Sequence, residues 1–423
     1  MTALLLLGFA ALAAAGTPVF ALMAALALWL FHGAGIESTA VVIELARLAS
    51  LPSLIAIPLF TFAGYVLAES GAPKRLVDLA RALFGWLPGG VAVAGLCVCA
   101  MFTAFTGASG VTIIALGGLI FPLLRKQGYP EPFALGLIST TGSLGLMFPP
   151  SLPIILYALV GKISVDKLFA AAAVPGLLLL AVLSAYAVLV AKRAGVKPTE
   201  FSWAEIGRSA RAAAWEIPLP IIVVGGIYGG FFTASEAAAV MAFYVLVVEI
   251  FVYRDVSWGK LPEIVRQSMM LVGAILIVLG CALGLTSYLI DAEIPARIFE
   301  FLHAHVESPW GFLALLNVFL LVVNMVEIFS AIVIVVPIIA PVAAQYGIDP
   351  VHLGALFLLN LEIGYMTPPL GLNLFLASRR FDKPLPALYR AVLPFWLILV
   401  AALLVVTYCP SLSLWLPKLL KLP

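Results

Sequence analysis

The hexapeptide Gly-x-Met-x-Pro-Pro occurs twice, at residues 145–150 and 364–369, each time within a long apolar stretch. Proline has no backbone N–H, so a Pro–Pro pair leaves carbonyl groups of the preceding turn without helical partners. Such oxygens attract cations, and unwound backbone at membrane depth can coordinate Na⁺. We also expect each Pro–Pro pair to start the next half-helix, where proline is favoured. The predicted sodium ligands, mostly backbone carbonyls, are Gly145, Leu146, Met147, Phe148, Gly364, Tyr365, Met366 and Thr367.

Small and hydroxyl-bearing residues mark two points where apolar segments follow each other with almost no linker. The stretches "FTGASG" (105–110) and "VEIFSA" (326–331) hold few charges, so they do not suit a turn at a membrane surface. We predict re-entrant hairpins at about 90–124 and 309–343, whose tips must be buried in protein or line a cavity. The predicted binding residues at tips and breaks are Thr106, Gly107, Ser109, Gly110, Glu327, Ser330 and Asn373. Two alternatives stay open, namely that the hydroxyls only cap half-helices and that Asn373 makes only packing hydrogen bonds.

Two carboxyl side chains lie close to these features. Glu327 belongs to the second hairpin tip, and Glu362 precedes the second break. An ionised carboxylate at the centre of a bilayer costs roughly 2.5–3.5 kcal/mol or more, so it normally has a partner or a task. Each can pair with a cation, stay protonated or accept a backbone N–H. We expect a structural hydrogen bond for Glu362 and leave the role of Glu327 open.

Composition places these motifs in a membrane protein of many spans. Of the 423 residues, 64% are hydrophobic and 10% are charged, whereas a soluble domain has about 25% charged residues. Two amphipathic stretches, 73–86 and 293–305, are expected to lie along the interface. The predicted membrane elements are 3–31, 50–69, 90–106, 109–124, 132–160, 168–190, 217–232, 233–253, 269–289, 309–326, 328–343, 351–378 and 391–416.

Several functional classes are excluded by what the sequence lacks. It has no Gly-x-x-x-x-Gly-Lys-Ser/Thr phosphate loop, so an ATP-driven engine is not expected. Its four cysteines are scattered and have no neighbouring histidines, so metal ligation by them is not expected. No cluster of titratable residues suggests catalysis. We therefore expect neither an enzyme nor an organic cofactor.

The Lys and Arg residues between the spans indicate which loops lie on which side of the membrane. If each hairpin returns to the side it entered, one side receives 17 of these residues and the other receives five. Basic loops stay in the cytoplasm. The first hairpin then opens to the cytoplasm and the second to the outside. This count does not fix the side of the N-terminus.

An internal repeat accounts for the paired motifs. An offset of 219 residues relates not only the two Pro–Pro motifs but also Pro122 to Pro341 and Gly128 to Gly347. Because the hairpins open to opposite faces, the repeat is inverted, an arrangement typical of secondary transporters with discontinuous helices. The simpler alternative is that proline kinks serve only helix packing. We predict a first repeat at 1–190, a cytoplasmic connector at 191–216 and a second repeat at 217–423.

Five stretches carry a family resemblance. They are "SGAPKRLVDLARALFGWLPGG" (70–90), "GSLGLMFPPSLPIILYA" (142–158), "GGIYGGFFTASEAAAV" (225–240), "MVEIFSAIVIVVPIIAPVA" (325–343) and "GIDPVHLGALFLLNLEIGYMTPPLGLNLFLAS" (347–378). In these the chain resembles the large membrane subunit of tripartite ATP-independent periplasmic (TRAP) transporters, in the ion transporter superfamily. The likeness covers nearly the whole chain.

The resemblance implies a multi-pass protein of the bacterial inner membrane that imports small organic acids by Na⁺-coupled symport. It implies an elevator motion, in which a transport domain of hairpins and broken helices moves against a scaffold. It also implies two partners, a small four-helix membrane subunit and a periplasmic substrate-binding protein. Because the chain starts at the large subunit's first span, we expect the small subunit to be a separate chain.

The sequence departs from the family pattern at both hairpin tips. "TGASG" replaces a Ser-Gly-Ser-Ser-like run in the first tip, and a family Gly and Asp near the second correspond to Asn324 and Glu327. A stand-alone sodium- or proton-coupled carboxylate symporter is the alternative function. The sequence leaves open which acid is carried, how many Na⁺ ions bind and which oligomer forms.

Overall fold

A computed structural model describes residues 8–9, 12, 16–37, 39–48, 51–323 and 328–422. Regular structure in these ranges is entirely helical, with no strand. Five of the described helices are long and apolar enough to cross a membrane, and the count rises to seven if two bent pairs each form one span. The predicted class, an all-α polytopic membrane protein, is confirmed.

The first half of the chain begins with three helices and an amphipathic arm, followed by the predicted hairpin and broken helix. Its helices are α1 (Val19–Gly33), α2 (Thr39–Leu48), α3 (Ala56–Ala68), α4 (Ala72–Phe84), α5 (Gly90–Thr106), α6 (Ser109–Ala115), α7 (Gly117–Lys126), α8 (Glu131–Leu144), α9 (Leu152–Val160) and α10 (Val165–Arg193). The arm α4 lies where the sequence predicted an interfacial helix at 73–86.

The second half repeats this order after a short connector helix. Its helices are α11 (Trp203–Ala212), α12 (Pro218–Tyr228), α13 (Ala234–Val247), α14 (Leu261–Asp291), α15 (Ile294–His303), α16 (Pro309–Val323), α17 (Ile328–Gln345), α18 (Pro350–Gly364), α19 (Leu372–Phe381), α20 (Leu385–Tyr408) and α21 (Ser411–Leu419). Here α15 is the second predicted arm. The second tip at 324–327, with Glu327, lies outside the described residues.

The first hairpin turns sharply at Gly107, between α5 and α6. Gly107 has a φ of +63°, in the left-handed region that glycine adopts without the steric cost of a side chain. Thr103 in α5 and Thr112 in α6 join the two arms, with their Oγ1 atoms 2.7 Å apart. The returning arm bends by 48° between α6 and α7. The predicted hairpin is therefore present, and its tip is held by a hydrogen bond between side chains.

The two broken helices have the same design but differ from the prediction in one respect. α8 with its terminal turn meets α9 at a bend of 46°, and the second helix is interrupted between Gly364, the end of α18, and Leu372, the start of α19. Both Pro–Pro bonds, Pro149–Pro150 and Pro368–Pro369, are cis. The expectation that each pair starts the next half-helix is wrong. The pairs lie in the preceding turn, and the half-helices begin at Leu152 and Leu372.

Two groups of helices make up the packing. The frame helices are α1, α3, α13 and α14, of which α3 packs on α13 and α14 while α1 packs on α14. The core helices are the hairpins, the broken helices and α20. Within this group α5 and α20 pack on α8, and α16 packs on α18. The two groups also contact each other, since α3 packs on α5 and α14 packs on α17.

The C-terminal element also differs from the prediction. The sequence predicted one element at 391–416, but α20 ends at Tyr408 and α21 starts at Ser411. Pro410 lies between them. Since proline cannot donate the N–H that would continue α20, the chain turns there.

The arm α4 is anchored to the frame by one arginine. Arg75 donates to Glu216, to Asp255 at 2.5 Å and to Glu249 at 3.1 Å. Its guanidinium also lies 3.7 Å from the ring centroid of Tyr253. The side chains of Glu216 and Glu249 are 1% and 0% exposed, so removing Arg75 would leave buried carboxylates without a cation.

The environment of Arg75 keeps it charged. Burial alone would lower the pKa of Arg75, but the hydrogen bonds with Asp255 and Glu216 outweigh burial, so the pKa lies above its usual value. The guanidinium is therefore a permanent cation in this cluster. None of its partners was predicted from the sequence, since they are distant along the chain.

We expect Arg75→Met to destabilise the protein strongly. Breaking a buried ion pair by removing one partner costs about 3–5 kcal/mol, and because Arg75 is 15% exposed the lower end applies. Thermal unfolding of the purified protein in detergent, followed by tryptophan fluorescence, measures the effect.

Arg266→Met is the matched control. Arg266 pairs with Glu263 at 2.6 Å on the surface, with both side chains largely exposed, and such pairs contribute little to stability. Equal losses of Tm in the two variants would show that the Arg75 cluster does not anchor the arm.

Candidate functional site

The first break begins where α8 ends at Leu144. A 3₁₀ turn spans Gly145–Met147, and Phe148 is extended, with φ −114° and ψ 142°, as expected for a residue before proline. The Phe148 N–H donates to the Gly145 carbonyl at 3.0 Å, and the Ser151 N–H donates to the Phe148 carbonyl at 3.1 Å. Two of the four carbonyls predicted as sodium ligands therefore already accept one hydrogen bond.

The carbonyls of Leu146 and Met147 are in a different situation. The residues three and four positions after Leu146 are Pro149 and Pro150, which have no N–H to donate. The residue four positions after Met147 is Ser151, whose N–H bonds to Phe148 instead. Within this described segment, no helical donor reaches either oxygen, and this is what a backbone ion site requires.

The second break is closed more tightly by its own backbone. The Thr367 N–H donates to the Gly364 carbonyl at 3.1 Å, and the Gly371 N–H donates to the Thr367 carbonyl at 2.9 Å. The Asn373 N–H donates to the Tyr365 carbonyl at 3.0 Å. A carbonyl oxygen has two lone pairs, so accepting one hydrogen bond does not by itself exclude ion binding. The two breaks therefore share a design but offer different oxygens.

Close packing against the hairpin fixes the first break in place. A Cβ atom on Gly145 would lie 2.5 Å from the backbone nitrogen of Ala104 and from Cβ of Thr103, closer than real atoms approach. Thr103 also donates from its hydroxyl to the Gly142 carbonyl at 3.0 Å. The break therefore rests directly on the last turn of α5, and only glycine fits at position 145.

The first hairpin tip contacts both the core and the frame. Thr106 is fully buried, and its hydroxyl has no hydrogen-bond partner among the described residues. A Cβ atom on Gly64, in frame helix α3, would lie 2.5 Å from the Cα atom of Thr106. The tip is thus pressed against the frame, and glycine on the frame side permits the approach.

The two broken helices cross where repeat-equivalent residues meet. Ser143 donates to the backbone carbonyl of Glu362 at 3.4 Å, and these residues are 219 positions apart. Asn373 donates through Nδ2 to the Ser139 carbonyl at 3.0 Å and to the Ser143 hydroxyl at 3.1 Å. Since equivalent residues can touch only near the axis that relates them, the pseudo-two-fold axis passes through this contact.

The carboxyl group of Glu362 does not make the expected structural hydrogen bond. Glu362 is fully buried, and neither carboxyl oxygen has a partner among the described residues. Its backbone carbonyl forms the contact with Ser143 instead. By contrast, Asn373 makes the packing hydrogen bonds that the sequence left as one of two alternatives.

The two hairpins and the second break converge on a cavity of about 580 Å³, the central cavity. Its core wall comes from the first tip, the start of α17 and the second break, and its frame wall comes from α1, α3 and α14. The lining residues are Phe20, Tyr65, Gly107, Ala108, Ser109, Gly110, Val111, Ile114, Leu271, Ala274, Ile275, Val278, Phe329, Ser330, Tyr365 and Leu372. Elements that are far apart in the sequence, such as the first tip and the start of α17, therefore line one cavity that is large enough for a small ligand.

The predicted residues divide into those that line this cavity and those behind it. Gly107, Ser109, Gly110, Ser330 and Tyr365 line it. Thr106 and Asn373 are buried in the core beside it. Of the first break, Phe148 lines a separate apolar cavity of about 540 Å³ that also contains residues of α5, α10 and α12. Whether these residues bind a ligand stays a prediction.

The residues of the frame wall were not predicted from the sequence. Tyr65 in α3 and four residues of α14 complete the central cavity, and none of them carries a motif. Along α14 they follow the spacing of one helix face, at Leu271, Ala274, Ile275 and Val278. Apolar residues at that spacing occur on many helices, so only the folded arrangement distinguishes this face.

A buried polar chain links the second hairpin to the second broken helix. Asn360 donates through Nδ2 to Oδ1 of Asn317 in α16 at 2.9 Å. Asn317 donates through its own Nδ2 to the hydroxyl of Thr407 in α20 at 2.9 Å. All three residues are at most 4% exposed. Hydrogen bonds between helices in a membrane contribute modestly to packing, and that of Asn360 joins α18 to α16.

Inverted hairpins and broken helices within a frame, with a cavity where the first hairpin tip, the start of α17 and the second break meet, define the permease of a secondary transporter. Residues 6–412 match the model of the family described as tripartite ATP-independent periplasmic transporter, DctM component. The chain belongs to this family and is a large permease subunit of a TRAP transporter. Such subunits work with a small permease and a periplasmic binding protein, and they are multi-pass inner-membrane proteins.

Named relatives agree with this assignment. The C4-dicarboxylate TRAP transporter large permease protein of Pseudomonas aeruginosa is 39% identical over 94% of this chain and 93% of its own. The ectoine/5-hydroxyectoine TRAP transporter large permease protein of Ruegeria pomeroyi is 34% identical over 87% of this chain and 86% of its own. These relatives are permease subunits and not enzymes, as the sequence predicted.

A solved structure supports the fold. The Alcanivorax borkumensis YdaH transporter, described as having an unusual topology, superposes with a TM-score of 0.62. The alignment covers 88% of this chain and 87% of that one, at 14% sequence identity. At that identity the likeness concerns the fold alone.

We expect Gly145→Ala to lower stability, because the added methyl must displace the backbone of α5. Overpacking of this kind costs about 1–3 kcal/mol. Gly225→Ala in α12 is the control, since nothing lies within 4 Å of a Cβ atom there. Thermal unfolding in detergent compares the two. A Gly145→Ala protein that unfolds at the wild-type temperature would contradict the close packing of the break.

Proposed function

We propose that the chain imports a small organic acid, of the C4-dicarboxylate class, by Na⁺-coupled transport in which the core helices move against the frame. The central cavity carries this proposal, because the first hairpin tip, the start of α17 and the second break meet there. Its volume of about 580 Å³ falls within the range of ~300–1,000 Å³ usual for ligand sites.

The polar groups in the wall of the central cavity suit a carboxylate substrate that is bound together with cations. Hydroxyls of Ser109, Ser330, Tyr65 and Tyr365 and the glycine backbone of the first tip supply polar contacts. Among the described lining residues, no Lys or Arg balances an anionic cargo, and no Asp or Glu repels one. A bare anion in such an interior is costly, so cations bound nearby would offset the charge and couple its movement to theirs.

The breaks are where we place those cations. Leu146 and Met147 fit best, because prolines remove the donors that would otherwise occupy their carbonyls. Gly145, Phe148, Gly364, Tyr365, Met366 and Thr367 complete the proposed sets around the two turns. Na⁺ bound there would supply positive charge behind the central cavity, on the core side.

Movement of the core against the frame is supported by the unlike walls of the cavity. On the core side the wall contains hydroxyls and glycine backbone, whereas along α14 it consists of Leu271, Ala274, Ile275 and Val278. An apolar wall makes no hydrogen bonds that sliding would break. The substrate would thus travel with the hairpins, as in an elevator.

Two partners complete the proposal, a small four-helix membrane subunit and a periplasmic protein that delivers the substrate. The named relatives differ in cargo, C4-dicarboxylate in one and ectoine in another, so the choice of acid is tested separately by competition for uptake. A stand-alone symporter is the alternative, which uptake without any binding protein would support.

The first test concerns the coupling ion. Proteoliposomes holding the large and small subunits, with the cognate binding protein and labelled succinate outside, should accumulate succinate only under an inward Na⁺ gradient. Replacing external Na⁺ by choline should reduce uptake to the level of empty liposomes, because the carbonyl sites then lack their ion. Equal uptake in both media would exclude Na⁺ coupling.

The second test concerns the cavity. Ser109 is 3% exposed and lines the cavity at the first tip. A hydrogen bond to a charged group contributes about 1.5–3 kcal/mol, so Ser109→Ala should raise the KM for succinate roughly 10–100-fold. Ser411→Ala, on the exposed start of α21, is the control and should keep the wild-type KM. An unchanged KM in the Ser109 variant would remove Ser109 from the site.

A further inference from the structure

A second, smaller cavity lies between the core and the frame at the C-terminal end of α14. This outer cavity has a volume of about 260 Å³. One wall is the turn after α9, the second is the end of α14, and the third is the middle of α17. Its lining residues are Val160, Gly161, Lys162, Leu283, Thr286, Ser287, Ile290, Val336, Pro337, Ala340 and Pro341.

The charge of its wall is unbalanced. Lys162, which is exposed, is the single charged residue among the described residues that line the outer cavity, and no described carboxylate lines it. Thr286 and Ser287 of α14 line the same cavity. A lysine ammonium with two hydroxyl donors, set against apolar side chains, is complementary to a carboxylate.

The backbone presents Lys162 in an unusual conformation. Its φ is +54°, in the left-handed region that glycine and asparagine adopt far more readily than lysine. The flanking turn is held by hydrogen bonds from Gly161 N–H to the Tyr157 carbonyl at 2.7 Å and from Ile163 N–H to the Ala158 carbonyl at 2.9 Å. A backbone conformation that suits glycine is therefore occupied here by a residue with a long, positively charged side chain.

The two cavities share one frame helix. Leu271, Ala274, Ile275 and Val278 line the central cavity, and Leu283, Thr286, Ser287 and Ile290 line the outer one. At a rise of ~1.5 Å per residue, the two sets are centred about 18 Å apart along α14. The loop charges place the turn containing Lys162 on the side opposite the cytoplasm. The outer cavity therefore lies on the side from which a substrate would arrive.

We propose that Lys162, Thr286 and Ser287 form a reception site for small carboxylate anions on the outer side of the protein, separate from the central cavity. The site would hold a dicarboxylate released by the binding protein before the core carries it inward. This inference rests on the proposed function for the orientation of the chain and for its anionic cargo.

Protection of the Lys162 amine from acetylation tests the site directly. The purified protein in nanodiscs is treated briefly with an acetylating reagent at increasing succinate concentration, and labelling of each lysine is measured by peptide mass spectrometry. At about twice the dissociation constant the labelling rate of Lys162 should fall about threefold. Lys418, an exposed lysine of α21, serves as the internal control and should be labelled at a constant rate.

Two further comparisons identify the cause of protection. Succinamide, which has the same length and no charge, should not protect Lys162. In the Thr286→Val/Ser287→Ala variant succinate should protect less, and Ser287→Ala alone replaces it if the double variant does not fold. Ser330→Ala alters the central cavity and should leave protection unchanged.

Each outcome decides the question. Equal effects of succinate on Lys162 and Lys418, protection by succinamide, or full protection in the hydroxyl variants would overturn the proposal. Loss of protection in Ser330→Ala would assign the effect to the central cavity and would also overturn it. Protection of Lys162 in a protein that shows no Na⁺-driven uptake would contradict the proposed function while supporting the reception site.

Discussion

Every backbone polar group within a bilayer must find a partner inside the protein, and the two Pro–Pro breaks interrupt the helical hydrogen bonds that would provide one. Prolines deprive Leu146 of the N–H groups that a helix would provide. Exposed carbonyls of this kind cannot face lipid, so the hairpins, α20 and the frame enclose them. The missing side chain at Gly145 lets α5 close over the first turn. The architecture can therefore be understood as a means of burying two stretches of non-helical backbone inside the protein.

The two breaks satisfy the hydrogen-bonding requirement of buried backbone to different extents. The second closes much of its backbone on itself through Thr367, Gly371 and Asn373, whereas the first relies on packing. Asn373 then extends from the second break to the first and donates to Ser139 and Ser143. One repeat thus stabilises the other. The two proposed ion sites would therefore offer unequal sets of carbonyl oxygens, although the same motif builds both.

Sequence alone predicted the elements marked by glycine and proline. Hairpins, breaks, arms and the 219-residue offset follow from residues that constrain the backbone locally, and the described structure confirms that fold. The positions of the half-helix starts were wrong, because Pro149–Pro150 and its equivalent lie in the turn and not in the first helical turn. The Arg75 cluster and the frame wall were missed, since partners such as Glu249 lie about 174 positions away and apolar wall residues have no distinguishing type. Glycine and proline positions that constrain the backbone locally can be predicted from a sequence, whereas long-range contacts between residues of common types cannot.

The contact between Ser143 and Glu362 has an evolutionary consequence. A protein assembled from two copies of one ancestral segment places each residue on the axis opposite its own duplicate. Here the contact joins the hydroxyl of Ser143 to the backbone carbonyl of Glu362, so one copy contributes a side chain and the other contributes main chain. Two equivalent positions therefore make unlike contributions to a single hydrogen bond. A residue pair on the axis can thus diverge in sequence while the contact between the two copies is kept.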